Sequence, residues 1–299
     1  MLRPHNYSRL PEAAYATLST NERINTTFNY LRIEEDIKGG KGPLDGYVVG
    51  IGNGTIWSML EYFTIRYNIA PGAKGQPKGL ISFETDPAVV LSGLTIKDYA
   101  REKTSIDTVI SDIYSSSHKE EGVTIDPFIQ RANRVIERER VLHPAFADEL
   151  AKALPNVKQD LDQYTRIYGN IKYLLRSYKE GNTMLEGVND ISKVLYRNWE
   201  TIMELEAQGN IAFIHSDIKN TDTLSLISTT IPDIQTSRNI LYVSNVLDHL
   251  EQAGMPHGQQ NFGELQTILN PGELSYYVSS RRRNNYKLMF SPESPDKLF

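Results

Sequence analysis

The sequence predicts an α/β fold built on a mostly parallel sheet, and three observations carry that expectation. First, short apolar runs recur along the chain: Tyr47-Val48-Val49, Leu80-Ile81-Ser82-Phe83, Ile211-Ala212-Phe213-Ile214 and Ile240-Leu241-Tyr242-Val243. They are continuous rather than alternating, which marks strands covered on both faces, as in parallel sheets. Second, each run leads into a glycine-rich or polar segment: Gly50-Ile51-Gly52-Asn53-Gly54, Glu84-Thr85-Asp86-Pro87, His215-Ser216-Asp217 and Ser244-Asn245. Third, helical periodicity follows the strands, and strand, turn and helix in succession imply βαβ units.

In chain order, residues 7–33 carry a helical pattern and belong to a helical N-terminal segment, 1–44. The first strand and glycine segment are followed by a helix over 56–67, with Ile56, Leu60, Phe63 and Tyr67 on one stripe. Residues 68–78 hold two prolines and two glycines and read as a loop. After the second strand the pattern changes. From about 126 to 208 it is helical nearly throughout, with helices over 128–141, 161–178 and 189–205 and breaks expected at Pro144 and Pro155. This predicts an all-helical insertion, 91–210, shaping the substrate cleft of a core formed by 45–90 and 211–299. After the strand at Ile240, residues 246–253 read as a helix stopped by Gly254 and Pro256. At the end, 274–279 and 286–290 read as an antiparallel hairpin turning through 281–285, where Asn284-Asn285 suits a turn.

Composition narrows the function classes. The chain has 299 residues and no cysteine, which excludes disulfides, thiolate metal sites and a cysteine nucleophile. Its six histidines are scattered without a His-x-x-x-His pair, so no metal site is expected. A net charge of −5 argues against coating nucleic acid, and the Arg281-Arg282-Arg283 cluster suits a solvated turn. No apolar run is long enough for a membrane span, and the first ten residues, with His5, Asn6 and Arg9, lack a signal-peptide core. A soluble, cytoplasmic protein is the expectation. Tyrosine, at 17 residues against 9 phenylalanines, points to half-buried amphipathic surfaces such as a groove or the contact of a homo-oligomer.

The candidate chemistry lies at the strand ends. Gly50, Gly52 and Gly54 let the backbone turn and approach a cofactor, and the helix behind them aims free N–H groups at the same point, with Asn53 between. The dinucleotide fingerprint asks for glycine where Thr55 stands, which disfavours a nicotinamide oxidoreductase, and no Gly-Lys-Ser/Thr follows for a phosphate loop. Glu84, at the tip of the second strand, can accept from both hydroxyls of a ribose, with Asp86 as an alternative. Asp217 can accept from an adenine amine with Ile218 against the base, or simply cap a turn. Ser244 is a candidate cofactor contact, Asn245 can face the cofactor's reactive end or the substrate beyond the strand ends, and Asp248 or His249 in the next helix can act as a base or be merely exposed.

The glycine segment, an acid after strand two, an aspartate after strand three and a fourth strand, in that order, resemble the class I S-adenosylmethionine-dependent methyltransferases. Leu269-Asn270-Pro271-Gly272 is similar to the turn that this superfamily uses before its fifth strand. The resemblance covers roughly 45–88 and 211–290. It implies a Rossmann-like, seven-stranded sheet whose last two strands form the hairpin, with S-adenosylmethionine as cofactor. Gly50, Gly52 and Gly54 would cradle its amino-acid portion, Glu84 its ribose, and Asp217 with Ile218 its adenine. The chain departs from the family at Val48, where an acid often helps to hold the methionine end. The expected activity is methyl transfer to a small-molecule or protein acceptor, with His249, His215 or Asp248 as proton acceptor. Two other classes remain: a non-catalytic binding protein that keeps the fold, and, less favoured, an oxidoreductase.

Overall fold

A computed structural model of the protein describes residues 19–20, 46–66, 77–115, 126–168, 189–216, 231, 233–234, 237, 239–244, 276–281 and 285–290. It is an α/β protein with six helices and a parallel sheet among those residues. Strands are β1 (Ser19–Thr20), β2 (Tyr47–Ile51), β3 (Gly79–Glu84), β4 (Asn189–Asp190), β5 (Ile211–His215), β6 (Ile240–Ser244), β7 (Tyr276–Arg281) and β8 (Asn285–Phe290). Helices are α1 (Asn53–Arg66), α2 (Pro87–Arg101), α3 (Ile106–Ser115), α4 (Pro127–Leu142), α5 (Pro144–Tyr168) and α6 (Ile191–Ala207). The chain divides into a unit of Met1–Asn21, Gly52–Trp57 and Asp86–Ala207, and a second of Glu22–Ile51, Ser58–Thr85 and Gln208–Phe299.

The second unit holds the sheet. Strands β5, β3 and β2 lie side by side and parallel, in register from Tyr47↔Gly79 to Ile51↔Phe83 and from Leu80↔Ile211 to Glu84↔His215. Val48, Val49, Leu80 and Ile81 are fully buried, as continuous apolar strands covered on both faces require. On its other edge β2 pairs in parallel with β6, from Val48↔Ile240 to Gly50↔Tyr242. Strand pairing continues to β7, parallel to β6, and to β8, antiparallel to β7 from Tyr276↔Phe290 to Arg281↔Asn285.

The amino edge of the sheet is tied by side chains. The Tyr47 amide donates to Asn239 Oδ1 (2.9 Å), whose Nδ2 donates to the Ile234 carbonyl (2.8 Å). The Tyr47 hydroxyl donates to Asp233 Oδ1 (2.7 Å), while Lys78 pairs with the other oxygen of that carboxylate and lies 5.7 Å from the Tyr47 ring centroid.

The first unit holds α2 to α6 and the short pairing of β1 with β4. Two Asp-Pro pairs start its helices: Asp86 accepts from the Ala88 amide (2.8 Å) ahead of Pro87, and Asp126 accepts from the Ile129 amide (2.9 Å) ahead of Pro127. An aspartate cap satisfies an N–H that the helix leaves over, and proline at the first position loses nothing. Helix α2 is buried on nearly every side and packs against α4, α5 and α6. This agrees with its nearly stripe-free sequence, and it is why periodicity did not reveal α2.

Charge is buried where α2 meets α4. Asp98, with 2% of its side chain exposed, accepts from Arg131 (3.0 Å) and Arg138 (2.5 Å). Arg131 also reaches Glu102 (2.7 Å) and stacks 3.9 Å from the Tyr99 ring centroid. The Tyr99 hydroxyl donates to Asp112 on α3 (2.9 Å), and burial, then the Asp112 charge, hold this phenol well above its ordinary range. It therefore remains a donor at all working pH values. Between α2 and α6, Glu206 takes Arg101 (3.0 Å) and Lys97 (3.5 Å), and Trp199 donates to the Thr104 carbonyl (2.7 Å).

Burial also raises the Asp112 carboxyl above its ordinary value, although the bond from Tyr99 and the charge of Arg131 pull the other way. A raised acid pKa means that the folded chain holds this proton more tightly than the unfolded chain. Ionisation of Asp112 therefore weakens folding as pH rises from 3.8, the unfolded value, through the folded one. Asp112→Asn keeps an acceptor for Tyr99 and removes the charge. Thermal unfolding should show a gain in stability at neutral pH that fades as pH falls to about the unfolded value. An equal gain at both would rule out the charge as its cause.

Several expectations are corrected. Helix α5 runs through Pro155, so only Pro144 marks a boundary. Pro155 itself is exposed. Ala147, Leu150, Ala153, Val157 and Leu161 continue one buried stripe across it, offsetting the roughly 3 kcal/mol of an interior proline. Ser19 and Thr20, expected within a helix, pair as a strand with Asn189 and Asp190, which were also expected to be helical; α6 begins only at Ile191. Arg281 and Asn285 are strand residues, not turn residues. The rest of 7–33 and the helix over 246–253 lie outside the described residues.

Candidate functional site

Strand order directs attention to one edge of the sheet. From β2 the chain moves outward through β3 to β5, then returns to β6 on the opposite side of β2. The direction of winding thus reverses between β2 and β6. In open α/β sheets ligands bind outside the carboxyl ends of the strands at such a reversal, because the diverging connections leave a crevice there.

Within the sheet unit, parallel pairing brings the ends of four strands to that edge. Gly50 lies between Ser82 of β3 and Tyr242 of β6, and Ile51 ends β2. Glu84 ends β3, half-buried after five buried residues. His215 ends β5 directly beside it, and the Ser216 amide donates to the Glu84 carbonyl (2.8 Å), extending the ladder by one residue. Ser244 ends β6. The His215 ring places Nε2 3.2 Å from the Thr85 carbonyl oxygen.

The glycine segment is tighter than the sequence suggested. Gly50, expected in a loop, belongs to the ladder because its backbone pairs on both sides. Only Gly52 separates strand from helix. Its φ of 91° is one that a side chain resists, and its carbonyl accepts from the Thr55 (3.1 Å) and Ile56 (3.3 Å) amides to start α1. Asn53 and Gly54 form the first turn of α1. Asn53 is fully buried and its amide donates to the Val89 carbonyl (2.6 Å) on α2, so this side chain fastens two helices of the helical unit. Asp86 is the exposed cap of α2, and the Asp-Pro pair was the signal for that role. Val48 lies in the centre of β2, fully buried between Leu80 and Ile240.

Asp217, Ile218, Asn245, Asp248 and His249 lie outside the described residues. Among the described residues, no group of three His, Asp or Glu side chains could hold a metal ion, and no helix is long and apolar enough to cross a membrane.

No protein-family model matches the chain, and no curated protein matches it.

Proposed function

We propose that the chain binds S-adenosylmethionine at the carboxyl edge of its sheet and transfers the methyl group to a small-molecule or protein acceptor. The observation that carries this reading is the reversal of winding at β2, with a glycine-rich strand end there and an acid at the end of the neighbouring strand. Support also comes from the parallel order β5-β3-β2-β6 and the antiparallel β7–β8 pairing, which suit a Rossmann-like sheet closed by a hairpin.

The residues present fit such a ligand. Glu84 is a half-buried acceptor at a strand end, suited to ribose hydroxyls, and Gly50 on the neighbouring strand brings its backbone to that edge without a side chain. When bound, the cofactor supplies an electrophilic methyl group on a sulfonium. The chain's own work is then alignment and exclusion of water, with one side chain taking the acceptor's proton. Of the three candidate bases, His215 is at this edge of the sheet.

Calorimetric titration with S-adenosylmethionine and S-adenosylhomocysteine tests the reading, with NAD as control. Micromolar binding is expected, and Glu84→Ala should weaken it roughly 10- to 100-fold, the worth of hydrogen bonds to a charged group. Heats with NAD alone, or none with either adenosyl ligand, would overturn the assignment. A second reading, binding without catalysis, is favoured by Val48, which leaves no acid at the centre of β2. Binding without turnover across acceptors would support it.

A further inference from the structure

We propose that the corner between α4 and α5 is a contact with a second copy of this chain, seated on Val141 and Leu142. The contact lies in the helical unit and does not depend on the ligand reading above.

Three observations carry it. First, apolar side chains are exposed here as a group. Val141 is 82% exposed and Leu142 65%, and among the described residues these are the exposed large hydrophobics. Pro144 and Ala145, just beyond the His143 cap, are exposed as well and continue the patch into α5. Apolar side chains exposed next to one another mark an interaction site, since water must surround all of them unless a partner covers them. Second, the exposure is confined to that corner. The outward face of α4 before it carries Asn133, Arg134, Glu137 and Arg138, all exposed and polar.

Third, the rim of the patch carries both signs of charge. Arg140, 42% exposed, donates to Glu137 on its own helix (2.6 Å) and lies 3.7 Å from Asp148 on α5, and both carboxylates are 66% exposed. A guanidinium has several N–H donors, and a largely exposed carboxylate has room for more than one of them. A two-fold contact sets one patch against its own copy, so each Arg140 can meet the partner's Asp148 around the facing aliphatic side chains. A rim of mixed sign is complementary to itself, whereas nucleic acid or an anionic lipid surface calls for a single positive sign. The corner is smaller than the roughly 1,200–2,000 Å² of a stable interface, so association should be weak, with a dissociation constant on the order of 0.1 mM.

Sedimentation equilibrium of the full chain from about 10 μM to about 0.5 mM provides the test, and the average mass should rise with concentration. Leu142→Lys should weaken association about tenfold or more and leave the melting temperature unchanged, because that side chain is already in water and a cation suits a helix C-terminus. Arg140→Asp and Asp148→Arg should each weaken it roughly three- to tenfold, and the two together should restore most of it. A chain that stays monomeric throughout this range, or that associates equally well as Leu142→Lys, would overturn the proposal. So would a monomer that binds anionic lipid vesicles through Leu142, which would give the patch to a membrane surface instead.

Discussion

Replacing Asp98 with alanine should be the most damaging single change in the helical unit, costing about 3 kcal/mol or more of folding stability. The carboxylate is 2% exposed and takes Arg131 and Arg138 from α4. Truncation strands the two cations unequally. Arg138 is 42% exposed and can turn to water, whereas Arg131 is 10% exposed and, among the described residues, retains Glu102, itself 44% exposed, as its carboxylate partner. Breaking a buried pair from one side is expensive because the remaining charge was desolvated on the strength of its partner. The surviving bond to Glu102 and the stacking on Tyr99 keep the loss from the top of the usual range. Urea unfolding of Asp98→Ala beside Arg138→Ala checks this. The first should lower the midpoint strongly and the second by at most about 1 kcal/mol, because Arg138 is partly exposed and Asp98 keeps Arg131. Equal, small effects would mean that the cluster is hydrated and contributes little.

Gly79→Ala should destabilise the sheet unit by about 3 kcal/mol, the upper part of the range for overpacking. An added Cβ would sit 2.4 Å from the Asn210 carbonyl oxygen and 2.7 Å from the Tyr47 ring. Neither neighbour can yield cheaply. The carbonyl accepts from the Leu80 amide (2.8 Å) where β3 meets β5, and the Tyr47 ring is buried and tethered through its hydroxyl to Asp233. Relief would require moving the start of β3, which disturbs the Tyr47↔Gly79 and Leu80↔Ile211 pairings together. Thermal and urea unfolding provide the measurement. Gly209→Ala is the control for space, since nothing lies within 4 Å of a Cβ there, and its φ of +74° gives it a backbone cost alone. If Gly79→Ala proved milder than Gly209→Ala, the close approach would not be a real constraint.

The parallel strands were legible because burial on both faces leaves a local mark, three or four mostly apolar residues in a row bounded by polar or glycine residues. The long helix α4 was legible by its stripe, with Phe128, Ala132, Val135 and Ile136 on the buried side. Helix α2 was not, because burial on nearly all sides erases the periodicity that a half-buried helix would show. Pro155 misled for the opposite reason: a strong local breaker was outweighed by the packing of the residues on either side of it. At the candidate edge, the sequence pointed to Glu84 and to the glycine segment. It could not tell that Gly50 is a ladder residue or that His215 stands beside Glu84.

Taken alone, the sequence determined where parallel strands lie and that the chain is α/β, since those depend on runs of residues within a few positions of one another. Only the tertiary structure decided the strand order and with it the reversal at β2. It also decided the partners of Asp98, one of them 33 residues away, and the pairing of Glu84 with a histidine 131 positions along the chain. Those properties arise when distant segments compete to bury the same surface, and no local pattern records which of them prevails.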